Sequence, residues 1–225
     1  MEVRGHLKLQ VSHDFLASVP KRRRERKIPL LIALHGYAGD MTSMMRVAAR
    51  ISDGAMIAVC PQGPHQFWVP SVEQVDSRRV GFGWLTSYRP SDSQERHHAF
   101  LTGIIRSACS EWDADRHRIF LLGFSQACAL NYRFAFTHPG ILRGVIGVCG
   151  GIPGDFSDPR YRGISGGVLH VSAKRDPYYS AETTRTFGKA LSRLSSDVTY
   201  REYDAAHVFP RRSIPFIRKW IFDRC

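Results

Sequence analysis

The chain has 225 residues, 43% hydrophobic and 23% charged, which fits a soluble globule with one sizeable buried core. Its net charge of +12 favours anionic partners such as nucleic acid, anionic lipid or acidic substrates. No apolar run approaches the roughly 20 residues that span a bilayer, and the N-terminal MEVRGHLKLQVSHDF lacks the apolar core of a secretory signal, so we expect neither feature.

Strand-like and helix-like segments alternate after residue 20. The strands are near-continuous apolar runs, and the helices carry apolar residues near a 3.6-residue spacing. In chain order the segments are strand 28–36, helix 41–52, strands 55–61 and 118–125, helix 126–136, strands 144–152 and 168–173, helix 180–194, strand 197–204 and helix 213–224. This order predicts an α/β fold with a mostly parallel sheet covered on both faces. We find no internal repeat or linker, so residues 1–225 are predicted to form a single domain.

Two segments interrupt the alternation. The basic run KRRRERK, residues 21–27, fits a solvated turn between strands, with an anion-binding segment as the alternative. Residues 61–93 are rich in Pro, Gly and Ser but also hold Trp68 and Trp84. Because a loop of this length in a compact domain is usually functional or disordered, and aromatic residues argue against disorder, we predict an active-site loop.

The run IFLLGFSQACAL, residues 119–130, ends an apolar strand on Ser125. Gly123 to Ala127 nearly match the nucleophile elbow G-x-S-x-G, in the strand-to-helix position that the motif requires. In such an elbow the serine adopts a strained backbone conformation, and the positions two residues either side must be small. The alternative is that Ser125 only N-caps the following helix.

A serine nucleophile needs a base, and in this type of fold the acid and then the histidine follow the serine in the chain. Asp176 follows the strand 168–173, and His207 follows the strand 197–204. Asp155, after the strand 144–152, is a rival for the acid. The predicted catalytic residues are therefore Ser125, Asp176 and His207, with His207 as the base and Asp176 as its orienting partner.

An oxyanion hole needs two backbone N–H donors. We assign them to Gln126, directly after the serine, and to Tyr37 in the loop LHGYAGD that follows the first predicted strand. The neighbouring His35 is expected to be structural, hydrogen-bonded to the backbone of this tight turn.

Six blocks together resemble the phospholipase/carboxylesterase family of α/β-hydrolases, which includes small carboxylesterases and acyl-protein thioesterases. The blocks are LHGYAGD, AVCPQGP, RIFLLGFSQACAL, GVIGVCGGIPG, AKRDPYY and AAHVFP, in family order, and the similarity spans roughly residues 28–222. The resemblance implies an α/β-hydrolase fold of about eight strands without a large cap domain. It also implies hydrolysis of carboxylic esters or thioesters by Ser125, Asp176 and His207 without a cofactor.

The sequence departs from the family pattern at three places. Ala127 stands where family members usually carry glycine, and Tyr37 replaces a common aliphatic residue. The segment with GFGW and SYRPSD matches the family's specificity loop only loosely, so the substrate does not follow from the resemblance. Within this segment Phe82 and Trp84 are the predicted substrate-binding residues: at least one of them is expected to wall the acyl site, and the alternative is that these aromatic residues only cover the core. Arg78, Arg79 and Arg89 are either solvated or attract an anionic substrate group.

The leading interpretation is a serine esterase or thioesterase acting on a small-molecule substrate; the alternative is a non-catalytic binding protein on the same scaffold. Nucleic acid is not an expected partner, because no nucleic-acid fold signature accompanies the basic charge. No zinc-ligand spacing or nucleotide fingerprint is present, so we expect no metal and no cofactor.

The chain has five cysteines without CxxC spacing, which predicts free thiols and a cytoplasmic location. The sequence does not determine the oligomeric state, and a homodimer is possible.

Overall fold

The computed structural model describes residue 2 and residues 11–21, 27–69 and 79–225. The described part contains nine strands and five α-helices. The strands are β1 Phe15–Ser18, β2 Ile28–Leu34, β3 Ile57–Pro61, β4 His65–Val69, β5 Arg79–Gly83, β6 Ala114–Phe124, β7 Gly144–Val148, β8 Gly167–Ala173 and β9 Val198–Tyr203. The helices are α1 Met41–Ser52, α2 Pro90–Glu111, α3 Ala127–Thr137, α4 Ala181–Leu191 and α5 Ile214–Phe222.

Seven strands form the main sheet in the order β1-β3-β2-β6-β7-β8-β9. All neighbours in it are parallel except β1, which pairs antiparallel with β3 at the edge. The predicted α/β fold with a mostly parallel sheet is therefore confirmed, with seven strands within the described residues where about eight were expected. Parallel strands place their carboxyl ends at one edge of the sheet, where such folds bind ligands.

Every residue of β2, β3, β7 and β8 is buried, because helices cover both faces of the sheet. On one face Leu30 and Ile32 of β2 belong to the core that includes α2, α3 and α4. On the other face Leu31 and Ala33 belong to the core beneath α1 and α5. This double cover explains why the strands are continuous apolar runs in the sequence.

The segment 61–93 has more regular structure than a loop. Strands β4 and β5 pair antiparallel from His65↔Gly83 to Val69↔Arg79, forming a two-stranded hairpin beside the main sheet. The helix α2 then begins at Pro90, which fits the first helical turn because proline lacks an N–H. Residues 70–78, which include Arg78, lie outside the described residues, as do residues 22–26 of the basic run.

Among the described residues, no helix combines the length and the apolar character needed to cross a bilayer.

Candidate active site

The turn between β6 and α3 holds Ser125 in a strained conformation. Its φ of 55° lies in the left-handed region, which non-glycine residues rarely adopt. The turn is fixed on both sides, since Ser125 N donates to Val148 O at 2.9 Å and Cys128 N donates to Ser125 O at 3.1 Å. Among the described residues no side chain caps α3, and the Ser125 hydroxyl is hydrogen-bonded elsewhere. The hydroxyl therefore projects from the turn and does not serve as a helix cap.

Crowding explains the small residues on either side of Ser125. A Cβ atom added to Gly123 would lie 2.7 Å from Asn131 Nδ2 and 3.0 Å from the carbonyl carbon of Ala127, so a larger residue would displace the start of α3. Ala127 itself is completely buried. The alanine in place of the family's usual glycine is thus accommodated within the packed turn.

Three side chains from separate strand ends form one hydrogen-bonded chain. Ser125 Oγ lies 2.8 Å from His207 Nε2, and His207 Nδ1 lies 2.7 Å from Asp176 Oδ2. An ionised carboxylate can only accept, so Nδ1–H donates to Asp176 and Nε2 is left to accept the Ser125 proton. This is the tautomer that a histidine base requires.

Asp176 is held by its own turn. Its Oδ1 accepts hydrogen bonds from the backbone N–H groups of Tyr178 at 2.9 Å and Tyr179 at 3.2 Å. Its side chain is only 1% exposed, whereas the His207 side chain is 18% exposed. The Tyr178 ring packs edge-on against the His207 ring, with their centroids 4.7 Å apart. The carboxylate is therefore fixed beneath an imidazole that remains open to a substrate.

The rival acid Asp155 is engaged in a different interaction. Its Oδ2 lies 2.5 Å from Arg133 Nη1, and its Oδ1 accepts a hydrogen bond from Tyr161 at 3.1 Å. Burial alone would raise the pKa of Asp155, but the hydrogen bond and charge of Arg133 outweigh it and hold this pKa below its usual value. Asp155 is thus an ion-paired carboxylate, and it is Asp176 that contacts His207.

A buried thiol lies close to the acid. Burial raises the pKa of Cys149 to about 12, and the negative charge of Asp176 acts in the same direction. The Cys149 thiol therefore stays protonated, and its Sγ–H points to Val208 O at 3.6 Å, next to His207. It adds no second charge beside the Ser125–His207–Asp176 chain.

The two predicted oxyanion donors are next to residues that adjoin or include the serine: Gln126 follows Ser125, and a Cβ atom added to Gly36, the neighbour of Tyr37, would lie 3.0 Å from Ser125 Cβ. Within the described part of the chain, the backbone N–H groups of Tyr37 and Gln126 donate to no protein acceptor. Strand β5 holds the Tyr37 loop in place, since Ala38 N donates to Phe82 O at 2.9 Å and Gly39 forms a bridge with the same residue. An oxyanion hole needs two such unused N–H groups in fixed loops, so the role predicted for Tyr37 and Gln126 stays a prediction that this arrangement allows.

Hydrogen bonds to His35 connect three loops of the site. Its Nδ1–H donates to Gly36 O at 2.7 Å, and its Nε2 accepts from Gly63 N at 2.9 Å. Its carbonyl accepts from the Trp84 indole at 2.8 Å. Burial lowers the pKa of His35, only partly offset by its bond to the Gly36 carbonyl, and this agrees with a neutral ring whose Nε2 accepts a hydrogen bond. This geometry agrees with the structural role predicted for His35.

The side chain of Gln126 forms two hydrogen bonds to the backbone that the sequence did not predict. Its Oε1 accepts from Trp84 N at 2.8 Å, and its Nε2 donates to Leu85 O at 3.1 Å. Gln126 therefore holds the end of the β4–β5 hairpin against the turn at Ser125. The signal in the sequence was only a polar residue at the helix start.

The two predicted wall residues differ in accessibility. Trp84 is 1% exposed and packs against His35, so it offers no surface to a ligand in this conformation, whereas Phe82 is half-buried. A different aromatic pair is accessible: Tyr37 is 62% exposed and stacks on Phe67 with ring centroids 4.6 Å apart.

Of the three arginines near the predicted substrate loop, two are described. Arg79 donates to Ala38 O at 3.2 Å, and Arg89 lies 2.7 Å from Asp92. Both guanidinium groups therefore bind acceptors within the protein.

The fold and the site define an α/β-hydrolase with its polar chain at the carboxyl ends of β6, β8 and β9. The sequence profile described as phospholipase/carboxylesterase matches residues 17–223, and the chain belongs to this family. Membership indicates hydrolase activity, and it confirms the resemblance found in the sequence.

Solved structures give the same fold. The chain superposes on a Bacillus cereus carboxylesterase with a TM-score of 0.73 at 16% identity, covering 95% of each chain. Esterase PE8 gives a TM-score of 0.73 at 18% identity over 96% of this chain and 100% of that one. A Mesorhizobium loti carboxylesterase gives 0.68 at 20% identity over 86% and 88%. No curated protein sequence matches significantly.

Proposed function

We propose that the protein is a serine hydrolase that cleaves carboxylic esters or thioesters through an acyl-enzyme on Ser125. The observation that carries this proposal is the continuous hydrogen-bonded chain from Ser125 Oγ through His207 to Asp176, with distances of 2.8 and 2.7 Å. The strained φ of Ser125 supports it as well, because strain of this kind concentrates at functional sites. Family membership supports the carboxylic ester as the substrate class.

In the first half of the reaction, Ser125 Oγ attacks the acyl carbonyl carbon while His207 Nε2 takes the hydroxyl proton. The carbonyl oxygen becomes an oxyanion and accepts hydrogen bonds from the N–H groups of Tyr37 and Gln126. Asp176 stabilises the imidazolium without taking the proton itself. When the tetrahedral intermediate collapses, the bond to the alcohol or thiol breaks, and His207 gives its proton to the leaving group.

In the second half, water replaces the leaving group. His207 Nε2 removes a proton from the water, whose oxygen attacks the acyl carbonyl of the Ser125 ester. The second tetrahedral intermediate uses the same two backbone donors. Its collapse returns the proton to Ser125 Oγ and releases the carboxylic acid.

We place the acyl group beside the stacked pair of Tyr37 and Phe67. Tyr37 is also the oxyanion donor, so its exposed ring adjoins the position of the carbonyl. A Cβ atom added to Gly83 would lie 3.5 Å from Tyr37 Cδ2 and 3.6 Å from Phe67 Cε1, so this buried glycine adjoins both rings and leaves room for a methyl group at most. An accessible aromatic pair suits contact with an apolar acyl chain.

The proposal is tested with a fluorophosphonate probe and a series of p-nitrophenyl esters. The wild type should be labelled at Ser125 and should turn over the esters. Ser125→Ala should abolish labelling and reduce kcat by several orders of magnitude, as removal of such a nucleophile does elsewhere, with an unchanged melting temperature. Labelling at another residue, or full activity of the variant, would contradict the mechanism, and a wild type without any turnover would favour the binding-protein alternative.

We also propose a cytoplasmic location. All five cysteines carry free thiols, including the exposed Cys225, which suits a reducing compartment. Recovery of a tagged chain from the cytosolic fraction with all thiols reactive after denaturation would agree with this; disulfide-linked chains in an exported fraction would not.

A further inference from the structure

A pocket of about 480 Å³ lies between α2 and residues 11–15, which lead into β1. None of the three residues of the candidate active site lines it. Ring contacts hold its two sides together: His13 stacks on Phe100 with centroids 4.8 Å apart, and Phe15 lies against Trp112 at 6.1 Å. The apolar part of the lining is formed by Val11, Phe15, Ala99, Phe100, Ile104 and Trp112. A volume and a lining of this kind are typical of sites for small organic molecules.

One face of α2 forms a side of the pocket, and Gly103 stands in the middle of this face. A glycine inside a helix destabilises the helix by about 1 kcal/mol relative to alanine, so it usually has a packing or functional reason. Here a Cβ atom added to Gly103 would meet no atom within 4 Å outside its own stretch of helix, so no described neighbour requires the glycine. The missing side chain instead deepens the pocket, which is a reason to have glycine there if a ligand enters.

The charged part of the lining is basic. Arg96 and His13 both line the pocket, and no acidic residue of the described chain does. Arg96 forms no hydrogen bond or ion pair with any described residue. After burial, the charge of Arg96 is the next cause that lowers the pKa of His13 and of His65, so these groups lie close together. Asp14 acts on the pKa of His13 in the opposite direction, but it is exposed and does not line the pocket.

An unpaired guanidinium group beside apolar walls favours a ligand with an apolar body and one anionic group. The planar guanidinium matches the two oxygens of a carboxylate with two parallel hydrogen bonds. The volume of the pocket suits a single small amphiphile, and its walls offer few polar groups to a ligand with a polar body.

We propose that this pocket binds a monocarboxylic acid with an apolar chain, with the carboxylate on Arg96 and the chain along Gly103. The choice of a carboxylate over other anionic groups rests on the proposed hydrolase function, because a carboxylic acid is the product of that reaction. The pocket is then a product site separate from the acyl site beside Tyr37 and Phe67. Its residues take no part in the bond-breaking steps.

The test is calorimetric titration of the wild-type protein with octanoate, 1-octanol and acetate. We expect saturable binding of octanoate that weakens as salt is added. Octanol has the chain without the charge and should bind more weakly, and acetate has the charge without the chain and should not bind. Absence of octanoate binding, or octanol binding as tight as that of octanoate, would overturn the proposal.

Two variants assign the binding to this pocket. Gly103→Leu fills the open space and should abolish octanoate binding, while the melting temperature of the free protein rises because leucine favours a helix more than glycine does. Gly103→Ala also favours the helix but keeps most of the space, so it should still bind octanoate. Arg96→Gln should weaken octanoate binding by about tenfold, the scale of one hydrogen bond to a charged group, and leave octanol binding unchanged. The matched control is Arg106→Gln, an exposed arginine of α2 that does not line the pocket.

Octanoate binding that is unchanged in both Gly103→Leu and Arg96→Gln would place the ligand elsewhere, for example at the acyl site, and would overturn the proposal. Loss in Gly103→Leu without any effect of Arg96→Gln would overturn the assignment of an anionic ligand. The titrations need no turnover, so they are read separately from the labelling and ester assays. A protein that hydrolyses esters but does not bind octanoate in this pocket refutes the product site alone, and one that binds octanoate there but hydrolyses no ester refutes the proposed function alone.

Discussion

The histidine at the candidate active site and those in the core of the molecule have opposite surroundings. His207 has a hydrogen-bond partner on both ring nitrogens, and one partner is the carboxylate of Asp176. His97 and His170 are buried and bonded to neutral partners, the Asn131 amide at 3.1 Å and the Tyr132 hydroxyl at 2.9 Å. Each of these two rings also has one buried nitrogen without a partner among the described residues.

The comparison shows that burial alone does not make a histidine an acid–base catalyst. Burial lowers the pKa of His97 to about 3 and that of His170 to about 4, because no counter-charge stabilises the imidazolium. Such rings are neutral at neutral pH. His207 instead contacts the Asp176 carboxylate on one side and the Ser125 hydroxyl on the other, which is the arrangement that the proposed proton transfer requires.

The largest expected effect comes from removing the carboxylate that distinguishes His207. Asp176→Asn keeps the shape of the side chain but presents an amide that can stabilise the wrong tautomer and cannot stabilise the imidazolium. We expect kcat for p-nitrophenyl esters to fall by about 10⁴, the scale of the same change in serine proteases. Steady-state kinetics measure the loss.

Asp155→Asn is the matched control for that substitution. Asp155 lies in the ion pair with Arg133 and is partly exposed, so its loss should change kcat by only a few-fold. A reversal, with Asp155→Asn far more damaging than Asp176→Asn, would show that the acid of the proposed mechanism was assigned to the wrong residue.

The parts of the site that depend on local geometry were accessible from the sequence. The elbow needs small residues around Ser125, and the chain order of strands placed Asp176 and His207 at the same edge of the sheet. The structure brings these three side chains together, and their catalytic roles stay predictions. The helix 41–52 was predicted with the bounds that α1 has, because its apolar spacing is regular and Asp40 caps it through Ser43 N at 2.6 Å.

The parts that depend on contacts between distant segments were not accessible. The bonds from Trp84 to His35 and to Gln126 join residues that lie 49 and 42 positions apart, and nothing local indicates them. No bounds were predicted for α2, because its buried stripe includes Ser93 and His97 and so lacks a continuous apolar pattern. The sequence predicts a loop where the β4–β5 hairpin lies, since Pro and Gly around it are typical of turns.

A second prediction tests the neutral histidines through the pH dependence of stability. His98 has a buried Nε2 without a described partner; burial first, and then the nearby charges of His138, Arg133 and Arg160, lower its pKa to about 4. Below the usual pKa of 6.5 the unfolded chain binds a proton that the folded protein does not. The free energy of unfolding therefore falls with decreasing pH, by about 1.4 kcal/mol per pH unit for each such histidine, until the pH reaches the folded pKa.

His98→Phe removes one of these protons and keeps an aromatic ring against Phe134. The free energy of unfolding falls from pH 8 to pH 5, and this fall should be about 1–2 kcal/mol smaller in the variant than in the wild type. Urea unfolding at the two pH values measures this difference, and His117→Gln, at an exposed position, is the control. An identical pH dependence in the wild type and His98→Phe would mean that the pKa of this ring is the same in the folded protein as in the unfolded chain.

The smallest effect concerns the aromatic wall and two neighbouring buried residues at the end of the hairpin, Gly83 and Trp84. Gly83→Ala adds a methyl group at ordinary contact distances, 3.4 Å from Gln126 Oε1 and 3.5 Å from Tyr37 Cδ2, so folding should be unaffected. The methyl group takes space beside Tyr37 and should reduce kcat/KM progressively along an ester series from acetate to decanoate. The expected decrease in kcat/KM is about fourfold for each methylene that the added methyl group excludes from the site, equivalent to about 0.8 kcal/mol.

Trp84→Phe is the contrasting variant, because it removes the indole N–H that donates to the His35 carbonyl. It should cost about 1–3 kcal/mol of stability and lower kcat/KM uniformly across the ester series. A uniform fall for Gly83→Ala would move the acyl chain away from Tyr37, and a changed length profile for Trp84→Phe would show that the acyl wall extends to the buried indole.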